Sequence, residues 1–109
     1  MIFVTGTAPV NPDGSVHVPG DAYAQAKRCF AIIDRALRDL GADRTCIVRT
    51  RMFVTQISRW ADFGRAHREY VGEHHPCTSM IEVQGLIHPD MLIEIEADAV
   101  TGVAGPVVS

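Results

Sequence analysis

Three groups of residues in this chain have the types and spacing to do chemistry. Glu94, Glu96 and Asp98 alternate with Ile93, Ile95 and Ala97. A period of two places the three carboxylates on one face of a strand. A carboxylate partly buried in a cleft has its pKa raised toward neutrality and can move a proton to or from water. Glu94 is therefore a candidate general acid/base, and Glu96 reads as structural. Arg49 and Arg51 also share a strand face. Where the two faces coincide, the arginines and carboxylates form an ion-pair cluster; the other reading has Arg51 anchoring an anionic ligand. The third group, His67, His74, His75 and Cys77, contains the ligand types zinc uses. A helix end followed by Pro76 does not set tetrahedral geometry, so no metal site is assigned. His74-His75 reads as a polar helix C-terminus suited to the helix dipole. Cys77 gains nucleophilic character only beside a cation or a helix N-terminus and otherwise begins a strand. Cys29 reads as core and Cys46 as a small strand residue.

The elements that must position these groups are legible in the apolar periodicity. Ile2–Thr5 is a short strand stopped by Gly6, and Pro9 to Gly14 is dense in turn residues. Ser15-Val16-His17-Val18 alternates and reads as a second strand closed by Pro19-Gly20. Asp21 stands at an N-cap position. Ala26, Phe30, Ile33, Leu37 and Leu40 then recur at helical steps, with Gly41 as the stop. Thr45–Thr55 is rich in β-branched residues and reads as a strand. A second helix starts at Ile57 or Ser58 and runs to about Gly72, with Trp60, Phe63, Ala66/His67 and Tyr70/Val71 as its stripe. Strands over Thr78–Val83 and Met91–Val100 complete the order β-β-α-β-α-β-β. Two helices cannot cover both faces of a five-strand sheet, so they share one. The opposite face carries Glu94, Glu96 and Asp98 with either the Arg49/Arg51 or the Thr50 register. An open face that is half charged and half apolar predicts burial against other subunits.

Composition bounds the function class. The chain has 109 residues, 47% hydrophobic and 21% charged, with a net charge of −3. That predicts one α+β domain over residues 1–100 and a flexible tail over 101–109. The mildly acidic balance, without a basic run, argues against nucleic acid as the main ligand. No apolar stretch approaches the ~20 residues of a membrane span. Met1–Gly6 is too short, and lacks the basic flank, for a signal peptide. Three cysteines without CxxC spacing suggest neither a disulfide framework nor a zinc knuckle, and a reduced, cytoplasmic setting fits them.

The succession Val4-Thr5-Gly6-Thr7-Ala8-Pro9, Leu40-Gly41-Ala42, Val48–Val54, Pro76–Val83 and Ile93-Glu94-Ile95-Glu96-Ala97 resembles the Rid family. That family is also called YjgF-like, includes the enamine/imine deaminase RidA, and was once described as L-PSP endoribonucleases. The resemblance spans nearly the whole chain. It implies a chorismate-mutase-like α+β fold and a homotrimer with a central barrel and three inter-subunit clefts. It implies hydrolysis of small reactive imines or enamines, such as 2-aminoacrylate, to 2-keto acids and ammonia, with no metal or organic cofactor. The partners it leaves are the chain's own copies and a small metabolite, with no nucleic acid and no membrane.

Matched position by position, the resemblance makes Glu94 the residue that positions or activates water. It gives Gly6 a backbone contact with the ligand, since a residue without a Cβ allows close approach, and places Thr5 beside it among the substrate-binding candidates. The P-x-R-S motif reads Pro76-Cys77-Thr78-Ser79, so Thr78 stands where the carboxylate-binding arginine would be. Met80 occupies the position of the cleft cysteine, and His67 that of a helix asparagine bordering the cleft. Cys77, Ser79 and Arg51 join the substrate-binding candidates. A guanidinium offers a planar fork and two charge-assisted bonds; a hydroxyl offers one neutral bond. Charge-assisted bonds contribute ~1.5–3 kcal/mol, which predicts binding of amino-acid-derived imines at least roughly tenfold weaker. The family's N-terminal extra strand and cleft tyrosine find no match, because this chain begins almost at the S/T-G motif. That predicts either a misplaced start or a member without part of the usual cleft wall. The rival reading is the same trimer holding a metabolite or partner without turnover. A ribonuclease reading suits the charge poorly.

Overall fold

The computed structural model describes residues 1–101. Beyond residue 101, the tail expected over 101–109 lies outside the described residues. The elements are β1 (Ile2–Thr7), α1 (Ala22–Asp39), β2 (Ile47–Val54), α2 (Trp60–Val71), β3 (Cys77–Glu82) and β4 (Ile93–Ala99). The fold is α+β: two helices on a four-strand mixed sheet in the order β1-β4-β2-β3.

Local sequence accounts for each helix. The Asp21 side chain accepts from the Ala24 amide at 2.9 Å, capping α1 as its N-cap position requires. Ala22, Gln25, Ala26, Cys29, Phe30, Ile33 and Leu37 form its buried stripe. After the C-cap Leu40, Gly41 turns the chain away at φ 78°. A single 3-10 turn, Ile57–Arg59, precedes α2, which buries Phe63, Ala66, His67 and Val71 and ends at Gly72. β1 and β2 are both antiparallel to β4 and hence parallel to each other, while β2 and β3 pair in parallel. Both helices therefore lie on crossovers between parallel strands. Such crossovers have one hand, so both helices fall on the same face. The core lies between that face and the helices, with Ile47, Met52, Val54, Ile93, Ile95, Ala97 and Ala99 supplied by the sheet.

One polar side chain inside this layer fixes where β4 begins. Gln25 is fully buried; its Nε2 donates to the Asp90 carbonyl at 2.9 Å and its Oε1 accepts from the Leu92 amide at 2.8 Å. Two residues later comes Glu94.

Several expectations are corrected. Ser15–Val18 is not a strand: it contributes only a single bridge, Val10 to Val16, and Val18 has φ 36°. A β-branched residue in left-handed backbone cannot continue a ladder, so the sheet has four strands rather than five. Leu40 (64% exposed) and Trp60 (62%) lie at helix ends and leave the apolar stripes to which their spacing assigned them. Cys46 sits in a 3-10 turn, Arg44–Cys46, rather than in a strand. His74 is beyond the end of α2, and its Nε2 donates to the Ile47 carbonyl at 2.6 Å instead of answering the helix dipole.

Candidate functional site

The sheet register decides which candidates can meet. Along β4, Ile93, Ile95, Ala97 and Ala99 are buried under the helices, and Glu94, Glu96 and Asp98 are half-buried on the opposite, open face. Arg51 lies across from Glu96, and Phe53 across from Glu94. Of the two registers the sequence left open, the arginine register therefore holds: Arg51 joins the carboxylates and Thr50 turns toward the helices.

Glu94 sits between Phe53 and the β1 strand. The β1–β4 ladder is interrupted by an irregularity between Val4 and Thr7, which contains Thr5 and Gly6. Bulges re-aim side chains and open backbone next to sites. A Cβ added at Gly6 would lie 2.8 Å from Glu94 Cδ and closer still to Oε2. The Glu94 carboxylate thus rests on the bare Cα of Gly6, a position that any side chain there would take from it.

Arg51 is already occupied. Its Nη1 lies 3.4 Å from Glu96 Oε1 and 3.4 Å from Asp98 Oδ2. Two carboxylates on one guanidinium give the ion-pair cluster its geometry. Ser79 is across from Arg51, and Cys77 across from Arg49, both exposed on the edge strand β3.

Thr78, Met80 and His67 belong to the other face. Met80 pairs with Met52 and packs against the core. Thr78 pairs with Thr50, whose fully buried hydroxyl donates to Thr78 Oγ1 at 2.7 Å and lies 2.9 Å from His67 Nε2. His67 is 8% exposed, with the Phe30 ring centroid 5.7 Å away. Burial, reinforced by the nearby Arg68 charge, holds its pKa below the ordinary 6.5. His67 is thus linked through Thr50 to the exposed Thr78.

The matched residues consequently divide. Gly6, Arg51, Cys77, Ser79 and Glu94 mark the open face; Thr78, Met80 and His67 mark the covered one. Glu94 and Thr78 are two strand spacings and three residues apart, about 14 Å between Cα atoms, and on opposite faces. A concavity of about 390 Å³ lies elsewhere, on the helix layer beside Phe30, Asp34, Arg38 and Tyr70. Its lining residues pair with one another: the Tyr70 hydroxyl and Arg38 Nε both bond Asp34, at 3.0 and 2.7 Å. Burial, then the Asp34 carboxylate, raises the Tyr70 pKa. Among the described residues no group of three or more His, Cys, Asp or Glu is disposed to hold a metal ion. Among them, too, no helix is long and apolar enough to cross a membrane.

Sequence reasoning missed Thr50 and Gln25. The alternation Thr50-Met52-Val54 was the available signal for Thr50, since it runs in phase with buried apolar positions. Gln25 carried no signal beyond its place on the apolar side of α1.

Comparison with known proteins bears on this geometry. The family model described as Endoribonuclease L-PSP matches residues 1–101. A RutC family protein of Pyrococcus abyssi is 34% identical over 99 residues, covering 91% of this chain and 77% of that protein. The 2-iminobutanoate/2-iminopropanoate deaminase of Escherichia coli is 34% identical over 103 residues, covering 92% and 79%. Among solved structures, a member of the YjgF/YER057c/UK114 family from Mycobacterium tuberculosis superposes with TM-score 0.79 at 41% identity, covering 89% of this chain and 75% of that one.

Proposed function

Because this chain belongs to the Endoribonuclease L-PSP family, also called YjgF/Rid, we propose that it is a cytoplasmic homotrimer hydrolysing small reactive imines or enamines in clefts between subunits. The observation that carries this reading is the Glu94 carboxylate seated on Gly6 at the β1 irregularity. A bare backbone leaves room for a ligand, and the half-buried carboxylate beside it supplies the base. The relative named as an imine deaminase supports the reaction class. Two features support an inter-subunit site. The open face exposes Phe3 and Ile81 among its charges, and one ligand touching both Glu94 and Thr78 needs a second copy to bring them together. A barrel closed by three sheets would cover that face.

In the reaction, Glu94 takes a proton from water as the oxygen bonds to the imine carbon. Returning that proton to nitrogen gives the neutral carbinolamine; Glu94 then carries the carbinol hydroxyl proton to nitrogen as the carbonyl forms and the carbon–nitrogen bond breaks, releasing ammonia. Imine and water become carbonyl compound and ammonia, with no net oxidation. Gly6, Ser79, Thr78 and their backbone hold the ligand.

The test couples amino-acid oxidases to semicarbazide, which traps the imines they generate; hydrolysis by the protein lowers semicarbazone. Removing a positioned acid/base group costs about 10²–10⁴-fold. Glu94→Gln should lose that much activity while light scattering gives an unchanged trimer mass. A monomer or dimer mass for the wild type at micromolar concentration overturns the trimer. The rival, a metabolite-binding trimer without turnover, is favoured by the replacement of a charged anchor by Thr78. It predicts no activity across the panel, with Glu94→Gln changing affinity alone.

A further inference from the structure

We infer that Thr78 presents a directed hydrogen-bond donor, set by the buried relay His67–Thr50–Thr78, and that the site therefore selects a neutral acceptor group over a carboxylate. This rests on the reading that Thr78 borders the ligand cleft.

The relay runs outward when the His67 ring donates and the Thr50 hydroxyl passes its own proton on to Thr78. Thr50 has one hydroxyl proton, and that proton goes to Thr78 Oγ1 at 2.7 Å. The 2.9 Å approach of His67 Nε2 to the same oxygen then requires the ring to donate. A neutral ring that donates from Nε2 has its lone pair on Nδ1. The other tautomer, protonated on Nδ1, would take the Thr50 proton and leave Thr50 accepting from Thr78, which spends the Thr78 O–H inside the protein; the position of the His67 proton therefore sets the sense of the relay. With the ring proton on Nε2, the sense we infer, Thr78 accepts from within the protein and keeps its own O–H for the outside, where its side chain is exposed at the sheet edge.

Every member of this relay is uncharged while His67 is neutral. Arg51, the cation nearest in register among the matched residues, lies on the opposite face and is paired with Glu96 and Asp98. A carboxylate docking at Thr78 would exchange its hydration for one neutral donor, whereas a carbonyl, amide or hydroxyl oxygen is matched by it. The substrates it favours are imines or enamines whose second polar group is an amide, ketone or alcohol.

The test titrates ¹⁵N-labelled full-length protein with pyruvamide and with pyruvate, probes of the same size that differ in one charge. Pyruvamide should shift the Gly6, Thr78 and Ser79 amides with a dissociation constant about tenfold below that of pyruvate. Thr78→Val should erase the difference. Thr50→Val, which keeps the Thr78 hydroxyl but cuts it from His67, should lose most of it. If Thr50→Val does not fold, the His67 ring carries that part of the test: long-range ¹H–¹⁵N correlations should place its proton on Nε2. A proton on Nδ1, or pyruvate bound as tightly as pyruvamide, overturns the inference and leaves the cleft reading standing. Failure of both probes to shift these amides overturns both.

Discussion

The two faces of the sheet solve the polar-group problem in opposite ways. Under the helices, polar side chains are neutral and fully engaged: Gln25 bonds two backbone groups of the loop before β4, and Thr50 links His67 to Thr78. On the open face they are of charged types and only half-covered: Arg51, Glu96, Asp98 and Glu94. Burial of an unpaired charge costs far more than burial of a paired neutral group, which explains the division. The difference teaches where each kind of work resides. The covered face holds the chain's own fold together, and the open face keeps charge at the surface, where the proposed cleft chemistry would draw on it.

The largest effect that sharpens this contrast is on the covered face. Ile95 is fully buried on β4, directly between the outward-facing Glu94 and Glu96. Ile95→Ala removes buried methyl groups and leaves a cavity, so chemical denaturation should show a loss of about 2–5 kcal/mol. A loss below about 1 kcal/mol would mean that the core is not where the fold draws its stability.

Arg51→Ala probes the other face. The three side chains of its cluster are 32%, 35% and 17% exposed, so the cluster lies between surface and buried pairs. Surface pairs contribute about 0–1 kcal/mol and broken buried pairs cost about 3–5. The variant leaves Glu96 and Asp98 repelling each other without a cation, and about 1–2 kcal/mol is expected. The readout that separates the faces is protein concentration. If copies cover the open face, the Arg51→Ala deficit grows with protein concentration as the wild type assembles, while that of Ile95→Ala does not. Equal behaviour of the two variants would break the comparison.

How much of this was legible in the sequence depended on the range of the interactions involved. α1, its Asp21 cap and its Gly41 stop rest on contacts within a few residues, and periodicity located them. The alternation of β4 told Glu94 apart from Ile95 for the same reason. One failure was a local turn and the other was long-range. Ser15–Val18 has strand-like alternation, but the backbone of Val18 belongs to the turn that leads into α1. The face on which Thr78 lies depends on the parallel register of β3 with β2, set by a crossover 22 residues long between the strands (55–76). No local pattern in Cys77–Glu82 contains that information. The matched residues therefore looked like one site in sequence and lie on two faces in the fold.

The smallest expected effect tests the neutrality of the covered face directly. His67 has a folded-state pKa below its ordinary 6.5, caused first by burial and then by Arg68. Between the folded value and 6.5 the unfolded chain binds the proton more readily than the folded one. The His67 contribution to stability is therefore complete above the unfolded value and is lost as pH falls through that window. The protonated ring still donates from Nε2, so the hydrogen bond to Thr50 survives. What is lost is the favourable state of an uncharged ring in an apolar pocket beside Phe30. His67→Gln replaces the ring with an amide that also donates but does not titrate. Denaturation midpoints measured from pH 7.5 down to 5 should fall more steeply for the wild type than for the variant. A variant as steep as the wild type would show that His67 takes up its proton in the fold as easily as in the open chain, and that the covered face tolerates charge as the open face does.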